Sequence, residues 1–301
     1  MKILSITLWF LHVWLAGPAF ALEQLPAGPA APPVADPDVA GVTRPIPAGK
    51  ILWIGAHPDD EVLLAPLLGE LCATGLHPCA LLVATRGENG SCRLAGGCHP
   101  DLATVRSAEM RSAARLFDAE LLQGSLPDVF GPDPGAVRQA WDLAAGGDEE
   151  LLQRLADAID GVAPRVIITF DERHGTTCHN AHRAIGRLVL RALGRLSIPT
   201  PEVYLLESRV RIAPGGTQIL FSPALLRDPR LLRFAATEPL AHGTGTAWSY
   251  LLADAERQPS QFDATFLATL RAVPPRQRDV YLLAADALAA DPAPIEDPCP
   301  P

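Results

Sequence analysis

The apolar run Ile51-Leu52-Trp53-Ile54-Gly55-Ala56 passes directly into His57-Pro58-Asp59-Asp60-Glu61, and this junction constrains the chain more than any other stretch. An aliphatic run of that length predicts a buried strand, and a polar cluster at its carboxyl end stands where open α/β sheets place their ligands. His57 and Asp60 are spaced i and i+3. One turn can therefore aim an imidazole and a carboxylate at a single point, a pair that suits a borderline divalent ion such as zinc. Asp59 points elsewhere, as a base that deprotonates water beside an ion without binding the ion itself would do. The same residues also suit a plain polar turn in which an aspartate caps a helix starting near Glu61. A lone HxxD does not choose between the two.

A second junction of the same kind shifts the balance. Pro164 to Phe170 is another buried-strand pattern, and it runs into Asp171-Glu172-Arg173-His174-Gly175-Thr176-Thr177-Cys178-His179-Asn180-Ala181-His182, followed by an amphipathic helix from Arg183 to about Gly194. His179 and His182 are again i and i+3, on one face of the first helical turn. One of the three histidines of this stretch, as third ligand, completes a two-histidine, one-carboxylate site with positions open to water and substrate.

Four segments in order then extend the pattern: Ala56 to Glu61; Thr85-Arg86-Gly87-Glu88-Asn89-Gly90 at the end of the next strand; Arg106-Ser107-Ala108-Glu109 followed by Ala113 to Phe117; and His179 to His182. Together they resemble the PIG-L or LmbE-like family of zinc-dependent N-deacetylases. The resemblance spans Lys50 to Ser208 and thins beyond, where Ser260-Gln261 matches a pair common near the family's end. It implies that His57, Asp60 and His182 bind the metal, that Asp59 is the general base, and that His179 serves as electrophile or general acid toward the amide. It implies zinc as cofactor, with Fe2+ as an alternative, and an N-acetylated amino sugar or glycoconjugate as substrate. Arg106 matches an arginine that contacts sugar hydroxyls, and Asp128 a substrate-facing aspartate. Read without the resemblance, Arg106 is a helix-surface partner of Glu109 or Glu120, and Asp128 a turn residue after proline.

One departure bears on mechanism. Family members often carry His-Pro-Asp-His where this chain has His179-Asn180-Ala181-His182, so the carboxylate between the imidazoles is missing. Asp171, Glu172 or His174 are the candidates to replace it. Two rival functions have other marks. A non-haem iron(II) oxygenase would use HxD on a β-barrel, and a non-catalytic carbohydrate-binding descendant would have lost Asp59 or a ligand.

Met1-Lys2, the apolar run Ile3 to Leu15 and Ala19-Phe20-Ala21 predict a signal peptide over residues 1–21, hence export to the periplasm or beyond. A Pro/Ala-rich linker over 22–48 and one catalytic domain over 49–301 follow. No later stretch has the length of a membrane span. The six cysteines suit disulfides, Cys72 with Cys79 and Cys92 with Cys98 being the simplest pairs, while Cys178 is either a thiolate ligand or a structural partner. A net charge of -9 without a basic stripe argues against an extended polyanion such as nucleic acid and leaves a small-molecule or glycan partner.

Alternating apolar runs predict an α/β fold, a Rossmann-like and mostly parallel sheet with helices on both faces. Strands are expected at 51–56, 79–85, 120–123, 166–170 and 203–206, and helices at 61–73, 101–117, 136–160 and 183–193. Beyond Ser208 the pattern suggests a strand or hairpin at 218–221 and helices at 247–255 and 281–290.

Overall fold

The central strands are buried at every position, with apolar residues on both sides rather than at every second one, which is the pattern of a sheet covered on both faces. In a computed structural model, β1 (Ile51–Gly55), with every residue buried, is followed by α1 (Ala65–Leu68), β2 (Cys79–Thr85), α2 (Leu102–Leu116), β3 (Ala119–Leu126), α3 (Pro134–Ala145) and α4 (Asp148–Val162). Then come β4 (Val166–Phe170), the short turn α5 (Gly175–Cys178), α6 (Asn180–Ala192), β5 (Glu202–Glu207), β6 (Val210–Ile212), β7 (Gln218–Leu220), β8 (Leu231–Phe234), α7 (Trp248–Ala255), α8 (Ala264–Ala272) and β9 (Val280–Ala284). The structure describes residues 46–207, 210–212, 218–220, 231–241, 244–275 and 278–285. The expected leader and nearly all of the linker lie outside the described residues.

A seven-stranded sheet runs in the order β3-β2-β1-β4-β5-β9-β8. The first five strands are mutually parallel, and β9 joins antiparallel to both β5 and β8. From β1 the chain winds outward through β2 to β3, then crosses back to β4 and winds the other way to β5. Right-handed crossovers in opposite directions put α1 and α2 on one face and α3, α4 and α6 on the other. Contacts of α3, α4 and α6 with one another, and of α1 with α7, agree with that division. The reversal of strand order falls between β1 and β4, and a crevice opens at the carboxyl ends of strands at such a switch point. Both polar junctions of the sequence end there. Below them Trp53 and Phe170 meet edge to face, ring centroids 5.1 Å apart, in the buried centre of the sheet.

The expected long helices break where backbone geometry requires it. The 61–73 helix is a 3-10 turn (Asp60–Leu63), then α1, then a π turn (Gly69–Ala73). The 136–160 helix is two, because Gly146 and Gly147 take φ of +95° and +135° and end α3 before α4 starts. The expected hairpin at 218–221 forms between β6 and β7. The expected 281–290 helix is instead the strand β9 over Val280–Ala284: Val-Tyr-Leu-Leu pairs on two sides, and pairing overrides helical propensity. Residues 286–290 lie outside the described residues. Two disulfides are those expected from proximity, Cys72–Cys79 and Cys92–Cys98. Cys178 is also disulfide-bonded, which removes the thiolate alternative. Among the described residues no helix is long and apolar enough to cross a membrane.

Candidate active site

At the end of β1 the chain turns so that adjacent aspartates face opposite ways. Asp60 turns inward: its Oδ2 accepts the backbone N–H groups of Ala56 at 2.7 Å and His57 at 2.8 Å, which leaves Oδ1 toward the two imidazoles. Oδ1 lies 3.5 Å from His57 Nδ1 and 2.8 Å from His182 Nε2. Asp59 turns outward, which takes a left-handed backbone with φ of +94°. Aspartate tolerates that region better than most residues. Its carboxylate meets Arg106 Nη2 at 3.0 Å.

The far nitrogen of each imidazole is held. His182 Nδ1 lies 3.0 Å from the Gly175 carbonyl and 3.0 Å from Thr177 Oγ1, and its ring stacks on Phe170 with centroids 4.0 Å apart. A carbonyl only accepts, so Nδ1 carries a proton, and Nε2 is the nitrogen left to face an ion beside Asp60. His57 Nε2 lies 3.3 Å from Asp128 Oδ1, which likewise frees His57 Nδ1 to face Asp60. Burial raises the Asp60 carboxyl, but the charges of His182 and His57 outweigh it and leave it well below the usual range. Two imidazole nitrogens this close to an ionised carboxylate need a positive charge among them, whether protons or a bound ion. At His57 burial opposes that charge, yet Asp60 and Asp128 lift its pKa to about 10.

The donor set fits a bound divalent ion. Ligand atoms about 2.0–2.1 Å from one zinc-like ion stand roughly 3.0–3.4 Å apart. The 2.8 and 3.5 Å separations around Asp60 Oδ1 bracket that range. A second set is also present, since one nitrogen from each of His57, His179 and His182 falls within 4.8 Å of the others. The three rings surround one space, with His179 at 4.9 Å from both His57 and His182 by centroid.

His179 differs from the other two. Burial, then the charges of His182 and His57, push its pKa down to about 3, so it is a neutral imidazole. Its Nδ1 is buried without a hydrogen-bond partner among the described residues. Neither loop carboxylate turns to it: Asp171 accepts from the backbone N–H groups of Arg173 at 2.7 Å and His174 at 2.9 Å, and Glu172 faces Arg187 at 3.8 Å. Ala181, where the family pattern has its carboxylate, is only 2 % exposed and belongs to the core.

Arg106 and Asp128 both reach the site, in tighter roles than a surface ion pair or a turn. Arg106 is 4 % exposed, pairs with neither Glu109 nor Glu120, and gives its Nη groups to the Gly87 carbonyl (3.0 Å), the Pro58 carbonyl and Asp59. Gly87 must be glycine: its φ is +64°, and a Cβ there would stand 2.1 Å from the guanidinium. Asp128 holds the His57 ring, and is itself held by the Asn89 N–H (3.1 Å) and through its own N–H by Glu88 (2.8 Å).

A supporting layer behind Asp59 has no counterpart in the sequence reading. Glu61 accepts the Asp59 N–H at 3.2 Å and, from α7's end, Gln258 Nε2 at 2.5 Å. Gln258 also reaches Asp254 at 3.4 Å. Ser260 clamps Glu109 of α2 with its N–H (2.9 Å) and its hydroxyl (2.5 Å). The Ser260-Gln261 pair marked this neighbourhood, but polar residues in a loosely patterned segment give no sign of being buried.

Residues 52–193 match the family model PIG-L, GlcNAc-PI de-N-acetylase. Over 210 residues the chain is 31 % identical to a 1D-myo-inositol 2-acetamido-2-deoxy-alpha-D-glucopyranoside deacetylase of Nakamurella multipartita, covering 64 % of this chain and 69 % of the relative. A protein of the same name from Thermomonospora curvata is 28 % identical over 214 residues, 64 % of this chain and 70 % of its own. In fold the chain is similar to the N,N'-diacetylchitobiose deacetylase of Pyrococcus horikoshii, with a TM-score of 0.57, 16 % identity, and coverage of 82 % and 88 %.

Proposed function

The chain belongs to the PIG-L family of N-deacetylases, and from that premise we propose a zinc-dependent hydrolase that removes the acetyl group from an N-acetylated amino sugar held in a glycoside. The observation that carries this reading is the opposed pair of adjacent aspartates. Asp60 faces two imidazoles while Asp59 stays clear of them, fixed by Arg106. A descendant that only binds carbohydrate has no use for a carboxylate held in that way.

His57, Asp60 and His182 would hold the ion. When bound, zinc supplies Lewis acidity, bringing the pKa of a water toward neutrality and polarising the acyl oxygen. Asp59 takes the proton of the attacking water. Burial lifts its carboxyl, Arg106 opposes, and it stands at about 6, basic enough to accept a proton and ionised at neutral pH. A nearby cation moves it lower. Arg106 keeps that carboxylate aimed, since its guanidinium also grips the Pro58 carbonyl one residue earlier. His179, neutral and with no carboxylate behind it, acts as a hydrogen-bond donor to the acyl oxygen as charge develops there, the role of an oxyanion-hole group. Asp59 then returns its proton to the nitrogen, and the amine leaves.

The names of the curated relatives support a glycoside of N-acetylglucosamine as substrate class. The leader-like first 21 residues support export. The test is release of acetate and free amine by metal-replete protein from a panel of N-acetylglucosamine derivatives. Turnover of at least one member is expected; none, with the metal bound, would overturn the reading.

A further inference from the structure

Phe130 is the most exposed aromatic among the described residues, at 69 %, although Val129 beside it packs on the core. It stands at the rim of the site, its ring centroid 6.5 Å from that of His179 and edge-on to it. The exposure does not come from a slack loop. Trp141 Nε1 donates to the Pro127 carbonyl at 2.9 Å, Asp128 is held from both Glu88 and Asn89, and Asn180 Nδ2 donates to the Gly131 carbonyl at 2.9 Å. Asn180 occupies a position where the resemblance expects proline, and proline has no such donor. The chain thus spends a residue of its active-site helix on fixing the segment that carries Phe130.

Depth assigns the part of the substrate that meets this ring. His57, Asp60 and His182 are 7 %, 4 % and 6 % exposed, so the reacting acyl group goes to the floor and the rest of the substrate extends outward past His179. A large aromatic left bare at that height forgoes the stabilisation that burial would give it until something covers it. Flat C–H faces of sugar and cyclitol rings are apolar and match an aromatic plate, while their hydroxyls stay at the edge in water.

We propose that Phe130 is the plate for a second ring, attached to the N-acetylated sugar, so that the site selects ring-bearing glycosides over simple ones. The inference rests on the function proposed above and adds a residue and a specificity to it. It is tested by kcat/KM of metal-replete wild type, Phe130→Ala and Phe130→Trp on three probes: N,N'-diacetylchitobiose, methyl N-acetylglucosaminide, and methyl N-hexanoylglucosaminide. In Phe130→Ala the preference for the disaccharide over the methyl glycoside should fall about tenfold, mostly through KM, and Phe130→Trp should restore most of it, as expected for covering one aromatic ring. An unchanged preference would overturn the inference while leaving the hydrolase reading intact. A loss confined to the hexanoyl probe would overturn it too, assigning the ring to the acyl side. A wild type inactive on all three probes defeats both.

Discussion

The two loops that meet at the switch point build their halves of the site by different means. The loop after β1 carries the site's two opposed acids together with His57, and each acid is tied down: Asp60 by two backbone N–H groups, Asp59 by Arg106, and the Asp59 backbone by Glu61. The loop after β4 carries imidazoles and leaves them more open. His182 is set by a ring stack and one held nitrogen, and His179 has a bare Nδ1. That loop also stores more backbone strain, with Thr176 and Cys178 at φ of +61° and +59° against Asp59 alone at +94° in the first loop, a conformation that costs on the order of 1–3 kcal/mol per residue. The difference follows from charge. A buried carboxylate without partners is too costly to keep, so its donors come built in, whereas a neutral imidazole can keep a nitrogen open for a ligand or substrate.

The sharpest way to break the comparison is at Asp59. Asp59→Asn preserves shape and the bound ion but removes the base, and kcat should fall by about 10²–10⁴-fold with metal content unchanged by elemental analysis. Retained turnover would mean that the first loop supplies only ligands. Arg106→Met comes next. It removes a charge-assisted bond of about 1.5–3 kcal/mol, so kcat should fall roughly tenfold to a hundredfold. KM should move much less if Arg106 aims Asp59, as its committed Nη groups suggest, and a loss mainly in KM would return it to sugar binding.

The smallest effect sharpens the comparison from behind the first loop. Burial pushes Asp254 up to about 8, and Gln258 and Arg257 only partly oppose it. An acid with a raised folded pKa favours the folded state below its unfolded pKa, and that contribution is lost as pH rises from about 4 to about 8. Asp254→Asn should therefore melt a few degrees higher than wild type at about pH 8 and show little gain at about pH 4. An equal shift at both values would show that the carboxyl does not carry the pH dependence.

The parallel half of the fold was legible because β1, β2 and β4 are apolar at nearly every position and end in polar clusters, so periodicity and chemistry change at the same residues. The metal-site candidates were legible for the same reason: His57 and Asp60 directly follow β1, and His182 lies on the polar segment and helix start that follow β4. The supports were not. Asp128 and Arg106 were found through resemblance, but that they hold His57 and Asp59 depends on contacts between segments far apart in sequence. Asp254 on α7 and Gln258 just beyond its end are polar residues whose burial arises only when α7 packs on α1. β9 read as a helix because Tyr281 to Ala290 is a short apolar run, and only its two strand partners decide otherwise. Of Asp171, Glu172 and His174, the candidates to replace the missing carboxylate, the structure turns neither acid toward His179.

The division of labour between the loops is tested most directly by measuring bound metal and deacetylation side by side in Asp60→Ala and His179→Ala. Asp60→Ala should lose both the ion and turnover, since Oδ1 is the point on which His57 and His182 converge. His179→Ala should keep about one ion per chain and lose turnover by about 10²–10³-fold, the cost of one oxyanion donor. An ion lost with His179 and kept without Asp60 would contradict this division and make the three imidazoles the metal site.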